Sequence, residues 1–181
     1  MKLFIFSDIH GIVTNLEKLK NAIENESPNK IVVLGDLYYT GPTYTGDAEV
    51  ASFQVHKFLQ SKKDMIVAVK GNCDSPVDVK ASDFPMTDGL MMIEADDTVL
   101  FFAHGNEHSK SRNAKVPAGC NLIYGHEHIP YIEKQDGITY VCVGSVSLPK
   151  ENNPPTYAVF EDKKLQIKSL VDEKVIDETM L

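Results

Sequence analysis

The chain has few cysteines and no long apolar run, and both absences exclude classes of protein. Its three cysteines, Cys73, Cys120 and Cys142, are odd in number and contain no CxxC pair. A disulfide framework and a cysteine zinc site are therefore not expected. No run of about 18 apolar residues occurs, so we expect no membrane-spanning segment and no membrane partner.

The N-terminus also lacks the pattern of a signal peptide. Residues 1–6 are too few for the apolar core of such a peptide, and Asp8 and His10 follow directly. We therefore expect a cytoplasmic protein.

The chain has fewer positively charged than negatively charged residues. The 18 lysine and arginine residues stand against 26 aspartate and glutamate residues, which gives a formal net charge of -8. An acidic surface repels polyanions, so we expect no nucleic-acid polymer as a partner. A small anionic substrate remains compatible if bound cations reverse the sign of the charge locally.

The remaining composition is that of an ordinary globular protein. Hydrophobic residues make up 43% and charged residues 24% of the 181 positions. This length suits one domain with a sizeable core, and no repeat or low-complexity segment marks an internal boundary. We therefore predict a single domain over residues 1–181.

Apolar periodicity predicts alternating strands and helices over the first 70 residues. Thr14 and Glu17 fit a capping box at the start of the first helix. The expected elements are a strand at 2–7, a helix from Thr14, a strand at 31–34, a helix at 47–61 and a strand at 65–69. This order predicts a parallel sheet with helices packed on it.

From about residue 90 the pattern changes to short apolar runs separated by turns. Turn pairs at Asp96-Asp97, Asp136-Gly137 and Asp162-Lys163 indicate hairpins. The polar segment 106–118 is expected to form a flexible loop or a short helix. Strands are predicted at 91–94, 99–103, 122–124, 139–143, 157–160 and 165–170.

Polar residues recur where the predicted strands end. Because binding sites in open α/β sheets form at the carboxyl ends of strands, these segments can converge on one place. Carboxylate, amide and imidazole groups suit manganese, iron, zinc or nickel, and a neighbouring glycine lets the chain turn sharply beside a ligand. The segments are Asp8-Ile9-His10-Gly11, Gly35-Asp36, Gly71-Asn72-Cys73-Asp74, His104-Gly105 and Gly125-His126-Glu127-His128.

Four of the six histidines lie in these segments. The other two, His56 on a predicted helix and His108 in the polar loop, are expected to be ordinary helix and loop residues.

The ordered set of segments resembles the calcineurin-like metallophosphoesterase superfamily, and within it the small bacterial and archaeal YfcE-type phosphodiesterases. The resemblance covers nearly the whole chain and extends to Ser7 and to residues 144–149. It implies an α/β fold, namely a four-layer α/β/β/α sandwich of two mixed sheets flanked by helices. The site would lie at one edge of the sheets.

The resemblance also implies a centre of two divalent metal ions, with Mn²⁺ as the first expectation and iron, zinc or nickel also compatible. Asp36 would bridge the two ions, because a carboxylate has two oxygens to share. Asp8, His10, Asp36 and His128 would hold the first ion, and Asp36, Asn72, His104 and His126 the second.

The function implied is hydrolysis of small phosphodiesters by a hydroxide that bridges the metals and attacks phosphorus. Asn72 and His104 would contribute to catalysis beside it, with at most a minor role for Cys73. Relatives often self-associate, so a homodimer or homotetramer is expected. Tyr38, Tyr39 and Tyr44 are available for an interface or a substrate pocket.

The chain departs from this family pattern at three places. Many members have a histidine acid at the position of Cys73, and a thiol with a pKa of about 8.5 replaces it poorly at pH 7. Asn106 stands where relatives often have a second histidine, and Cys142-Val143 stands where they often have Asn-Pro.

Two roles are possible for several other polar residues of these segments. Asp74 could orient a ligand histidine or cap the next turn. Ser145 and Ser147 could touch substrate, but a role in shaping their turn is favoured.

Two alternative functions stay open at this point. One is a phosphomonoesterase or nucleotidase, and the other is a non-catalytic protein-binding module, a use that this fold has in the retromer complex. A nuclease is less favoured because the chain is short and acidic. Every expected ligand position holds a residue that can bind metal, which favours an enzyme.

Overall fold

The computed structural model describes residues 1–39, 49–112 and 114–181. Three α-helices, one 3₁₀ helix and twelve strands occur in these ranges. In chain order they are β1 Leu3–Phe6, α1 Leu16–Glu26, β2 Lys30–Val33, α2 Ser52–Ser61, β3 Ile66–Val69, α3 Pro76–Ala81, β4 Met86–Thr87, β5 Met91–Ala95, β6 Thr98–Phe102, the 3₁₀ helix Lys110–Arg112, β7 Asn121–Tyr124, β8 Pro130–Gln135, β9 Ile138–Val143, β10 Thr156–Glu161, β11 Lys164–Ser169 and β12 Val175–Met180.

The strands form two mixed sheets, as predicted. The first has the order β12-β11-β10-β1-β2-β3-β4, with β1 to β4 parallel and the other three strands antiparallel. The second has the order β5-β6-β7-β9-β8, with parallel pairs in the middle and an antiparallel hairpin at each end.

Strand β1 explains why the first apolar run is continuous. Side chains of successive strand residues point to opposite faces of a sheet. Phe4 and Phe6 belong to the core between the first sheet and the helices, whereas Leu3 and Ile5 belong to the core between the two sheets. All four are fully buried, so both faces of this central strand must be apolar.

The outer face of the second sheet carries a third apolar cluster. Leu122, Tyr124 and Tyr140 are buried there, and Ala114 and Val116 pack against them. The fourth layer of the sandwich is therefore the connection between β6 and β7. Its described residues contain one short 3₁₀ helix, Lys110–Arg112, and no α-helix. Of the two forms predicted for this segment, a loop or a short helix, the structure thus shows a loop that includes one short helical turn.

The predicted hairpin turns are confirmed. Both residues of each turn pair have positive φ, for example 50° at Asp96 and 57° at Asp97. This is the conformation that two-residue hairpin loops need to match the twist of their strands.

The first long helix begins near Thr14 as predicted, but its predicted capping box and the predicted start of the second long helix were wrong. Helix α1 has Asn15 at its N-cap, and the Asn15 side-chain amide donates to the backbone oxygen of Val146 at 2.9 Å instead of closing a box of Thr14 with Glu17. Helix α2 begins at Ser52 rather than at 47. Residues 49–51 instead pair with 11–13, as in the bond from Ala51 N to Gly11 O at 2.8 Å. A capping box does occur, between Ser75 and Asp78 in α3.

Four elements were not predicted: α3, β4, β8 and β12. Helix α3 and strand β4 are too short to show a period, and β8 and β12 lie at sheet edges with mostly polar or exposed residues. In the described part of the chain, no helix has the length and apolarity needed to cross a bilayer.

An ion-pair cluster joins the end of α1 to the first sheet. Lys2 Nζ lies 2.8 Å from Glu26 Oε2, and the Lys168 ammonium donates to Oε1 of the same carboxylate. The Glu26 side chain is 11% exposed. Burial raises the pKa of Glu26, but the two lysines outweigh burial and lower it. The cluster should therefore stabilise the fold only while Glu26 is ionised.

Glu26→Gln is expected to lower the free energy of unfolding by about 1–2 kcal/mol at pH 7. Because the folded pKa is depressed, this contribution is fully present above about pH 4.5 and is lost as the pH falls through the folded value. Urea unfolding at a series of pH values from 7 to 3 measures the contribution of Glu26 to the free energy of unfolding. Glu17→Gln is the control: Glu17 is 80% exposed beside Lys20, and a change below about 0.5 kcal/mol is expected. A Glu26→Gln loss that does not vary with pH would contradict this account.

Candidate metal centre

The seven predicted ligand residues lie together at one edge of the two sheets. Each follows directly or closely on a strand that ends there, so the sheets place them independently of any ligand. Asp8 and His10 follow β1, Asp36 follows β2, Asn72 follows β3, His104 follows β6, and His126 and His128 follow β7.

One half of the cluster is formed by Asp8, His10 and His128. Asp8 Oδ1 lies 3.2 Å from His128 Nε2 and 3.5 Å from His10 Nε2. The two Nε2 atoms are 3.4 Å apart. All three side chains are buried. These distances group three potential ligand atoms around one point.

The other half contains His104, His126 and Asn72. His104 Nε2 lies 3.0 Å from Asn72 Oδ1 and 3.2 Å from His126 Nδ1. His104 is buried, His126 is partly exposed and Asn72 is exposed. This half is therefore the one that faces solvent.

Asp36 lies between the two halves. Its Oδ2 is 3.6 Å from His10 Nε2 and 3.3 Å from His104 Nε2. Its Oδ1 accepts a hydrogen bond from the Cys73 backbone N–H at 2.8 Å. Asp36 Oδ2 is therefore the oxygen nearest to both halves, and the bridging role of Asp36 stays a prediction.

Backbone carbonyls orient three of the histidines. The Nδ1 of His104 contacts the Leu34 oxygen at 2.7 Å, and that of His128 contacts the Leu148 oxygen at 2.6 Å. The Nδ1 of His10 contacts the backbone oxygen of Tyr39. A carbonyl can only accept, so Nδ1 carries the hydrogen and each neutral ring presents the lone pair of Nε2 to the cluster.

The cluster is short of positive charge as it stands. The Nε2 atoms of His10 and His128 lie 3.4 Å apart, and because both Nδ1 atoms donate to carbonyls, neither ring in its neutral form has a hydrogen on Nε2 to place between them. Asp8 Oδ1 is buried and has no hydrogen-bond partner among the described residues, while Asp8 Oδ2 accepts from the His126 N–H at 2.9 Å. A buried carboxylate oxygen without a partner is costly. The donor set therefore fits metal cations.

The same imbalance appears in the pKa values of the metal-free cluster. Burial lowers the pKa of His104, but the carboxylates of Asp36 and Asp8 outweigh burial and raise it to about 9. Burial raises the pKa of Asp8, but contacts with His10 and His128 outweigh it and hold the pKa well below the usual range. Protons and metal ions therefore compete for these side chains.

Five of the seven residues have left-handed backbone conformations, with φ between 54° and 64°. Such a conformation costs a non-glycine residue about 1 kcal/mol or more and persists only where the surrounding structure imposes it. The concentration of these residues at one edge marks it as a functional site. They are Asp8, His10, Asp36, His126 and His128.

Two glycines are needed because the backbone itself touches the ligands. A Cβ atom on Gly71 would lie 2.1 Å from Asp36 Oδ1, and one on Gly125 would lie 2.6 Å from Asp8 Oδ2. Both distances are shorter than any normal contact. At these two positions glycine lets the backbone lie against a ligand carboxylate, in addition to allowing the sharp turn that the sequence suggested.

Asp74 fixes the loop that carries Asp36. Its Oδ2 accepts from the N–H groups of Asp36 and Gly71, both at 2.8 Å, and its Oδ1 accepts from the Leu37 N–H at 2.7 Å. Both roles suggested for Asp74 were wrong, because its side chain contacts no histidine in the described part of the chain and Ser75 caps α3. Instead it ties the β2 and β3 strand ends together.

Ser145 shapes the turn after β9, which is the role favoured from the sequence over substrate contact. Its hydroxyl donates to the Asp8 backbone oxygen at 2.8 Å and accepts from the N–H groups of Ser147 and Leu148. The Ser145 side chain is fully buried, so it holds the Asp8 loop rather than a substrate.

The remaining predicted positions lie around the cluster. Cys73 is partly buried, and burial together with the nearby Asp36 carboxylate raises the pKa of its thiol to about 12. Tyr38 reaches Ser82 and His56 and packs on the helix-side core, which leaves it little freedom to bind substrate. Tyr44 lies outside the described residues.

Comparison with known proteins agrees with this geometry. Phosphodiesterase YfcE of Escherichia coli is 31% identical to the chain over 176 residues, which is 97% of this chain and 96% of the relative. Phosphodiesterase MJ0936 of Methanocaldococcus jannaschii is 24% identical and covers 96% and 100% of the two chains.

Solved structures show the same fold. The structure of the E. coli phosphoesterase YfcE superposes with a TM-score of 0.92 at 30% identity and covers 99% of both chains. Vacuolar protein sorting 29 from Cryptosporidium parvum has a TM-score of 0.65 at 15% identity, covers 99% and 98% of the two chains, and shows the fold alone. A model of the calcineurin-like phosphoesterase superfamily domain matches residues 1–164, and with these relatives it establishes that the chain belongs to that superfamily and is a phosphoesterase.

Proposed function

We propose that this protein hydrolyses small phosphodiesters at a centre of two divalent cations. The observation that carries the proposal is the convergence of seven ligand side chains around Asp8 Oδ1, a buried carboxylate oxygen with no hydrogen-bond partner among the described residues. Asp8, His10, Asp36 and His128 would hold one cation, and Asp36, Asn72, His104 and His126 the other.

Two such cations would supply an activated water and would stabilise charge on the phosphoryl oxygens. Mixed imidazole, carboxylate and amide ligands suit Mn²⁺ and also iron, zinc or nickel. The two carboxylates contribute -2 and two divalent cations contribute +4, so the centre is cationic inside a chain of net charge -8. This favours a small phosphate group over a polyanion that lies along the surface.

The protein groups position the reactants. Because Asn72 and His126 are the exposed members, a phosphoester reaches the centre from their side. Asn72 Oδ1 and His104 Nε2 lie 3.0 Å apart, so one cation can be held between them at the entrance. No protein nucleophile is assigned, because two cations would supply an activated water at this site.

With added Mn²⁺, kcat/KM for bis(p-nitrophenyl) phosphate is expected to exceed that for p-nitrophenyl phosphate by at least ~10-fold. His104→Ala should lower diester turnover by at least ~100-fold, because changes to groups around a metal already cost about 10–100-fold. His56→Ala is the matched control: this histidine lies on α2 and contacts Tyr38, and its removal should leave turnover unchanged. A large preference for the monoester would instead favour a phosphomonoesterase.

Cys73→Ala should keep kcat/KM for the same diester within ~3-fold of the unaltered protein. The Cys73 backbone N–H, and not its thiol, holds Asp36 Oδ1, and the variant retains this N–H. Loss of a general acid typically costs ~10²–10⁴-fold. Loss as complete as that of His104→Ala would show that Cys73 takes part in the chemistry.

A further inference from the structure

A cavity of about 180 Å³ opens beside Asn72 and His104. Its walls come from three strand ends and turns: residues 70–72 after β3, residues 88–89 between β4 and β5, and residues 103–108 after β6. Among the described residues, none from the buried half of the centre lines it. The cavity therefore adjoins the exposed half, where a phosphoester would enter.

The wall is polar and nearly neutral. Lys70 Nζ lies 3.6 Å from Asp88 Oδ2, so these two charges offset one another. Asn106, Glu107 and His108 complete the polar lining, and Ala103 is the one apolar side chain in the described part of the wall. An aryl or alkyl group would remove these polar groups from water without giving them partners. A hydroxyl can donate and accept, which suits such a mixed wall.

The cavity is also small. Its volume lies below the ~300 Å³ at which typical ligand pockets begin. A group of the size of glycerol fits this space.

Two residues of the wall point to a bound hydroxyl. Asn106 replaces the histidine that relatives often have, and its amide offers both a donor and an acceptor. His108 was expected to be an ordinary loop residue, yet it lines the cavity. Its Nδ1 is buried with no hydrogen-bond partner among the residues described, so the ring can offer a ligand only its Nε2 edge, which donates or accepts according to the tautomer.

We propose that this cavity binds the alcohol part of the substrate, and that this alcohol is a small polyol of about the size of glycerol. The inference rests on the proposed hydrolysis of phosphoesters at the adjoining centre. It makes Asn106 and His108 specificity-determining residues.

The test compares two ligands that have the same three-carbon chain and differ only in their hydroxyls. Isothermal titration calorimetry with Mn²⁺-loaded protein would measure the Kd of glycerol 3-phosphate and of n-propyl phosphate. Glycerol phosphate should bind at least ~10-fold more tightly, because each hydroxyl gains hydrogen bonds to the wall. Asn106→Ala and His108→Ala, each measured alone, should reduce this ratio to below ~3-fold, whereas His56→Ala should retain it.

Equal affinity for the two ligands, or a ratio that survives both wall variants, would overturn the inference. Because each variant is measured separately, misfolding of one leaves the other as a test. Hydrolysis of bis(p-nitrophenyl) phosphate, assayed on the same preparations, tests the proposed function independently. Hydrolysis without a polyol preference would remove only this inference, and a polyol preference without hydrolysis would remove only the diesterase proposal.

Discussion

The structure depends on one electrostatic constraint: two buried carboxylates and several imidazole lone pairs are held within a few ångströms of one another. Asp8 Oδ1 has no hydrogen-bond partner among the described residues, and the Nε2 atoms of His10 and His128 face each other at 3.4 Å. Such an arrangement is costly unless positive charge fills the centre. The left-handed backbone at five ligand positions is a further cost that only the surrounding sheets can impose.

Hydrogen bonds that join neighbouring strand ends offset this electrostatic and conformational cost. Asp74 ties the Asp36 loop to Gly71, Ser145 holds the backbone of Asp8, and carbonyls fix three of the imidazole rings. Rigid ligands of this kind lose little freedom when they bind. The same strand ends also form the small cavity beside Asn72, so metal binding and substrate selection depend on one set of loops.

Much of this could be predicted from sequence because strand ends carry a local signal. An apolar run followed by a carboxylate, amide or imidazole side chain, with a glycine in the same short segment, indicates both the strand and its ligand, and the structure brings all seven such residues together. The supporting contacts had no such signal. The oxygens of Leu34 and Leu148 belong to the backbone, and any residue type provides one. Strand β12 was missed because its residues are largely exposed, and the cap of α1 because Asn15 takes a distant partner.

The most direct test of the two-cation centre is the metal content of protein loaded with Mn²⁺ and freed of excess by gel filtration. The account predicts close to two ions per chain in the unaltered protein. Asp36→Asn should lower this to one or fewer, because Asp36 Oδ2 lies between both halves, and His56→Ala should not change it. One ion per chain in the unaltered protein, or two in Asp36→Asn, would contradict the account.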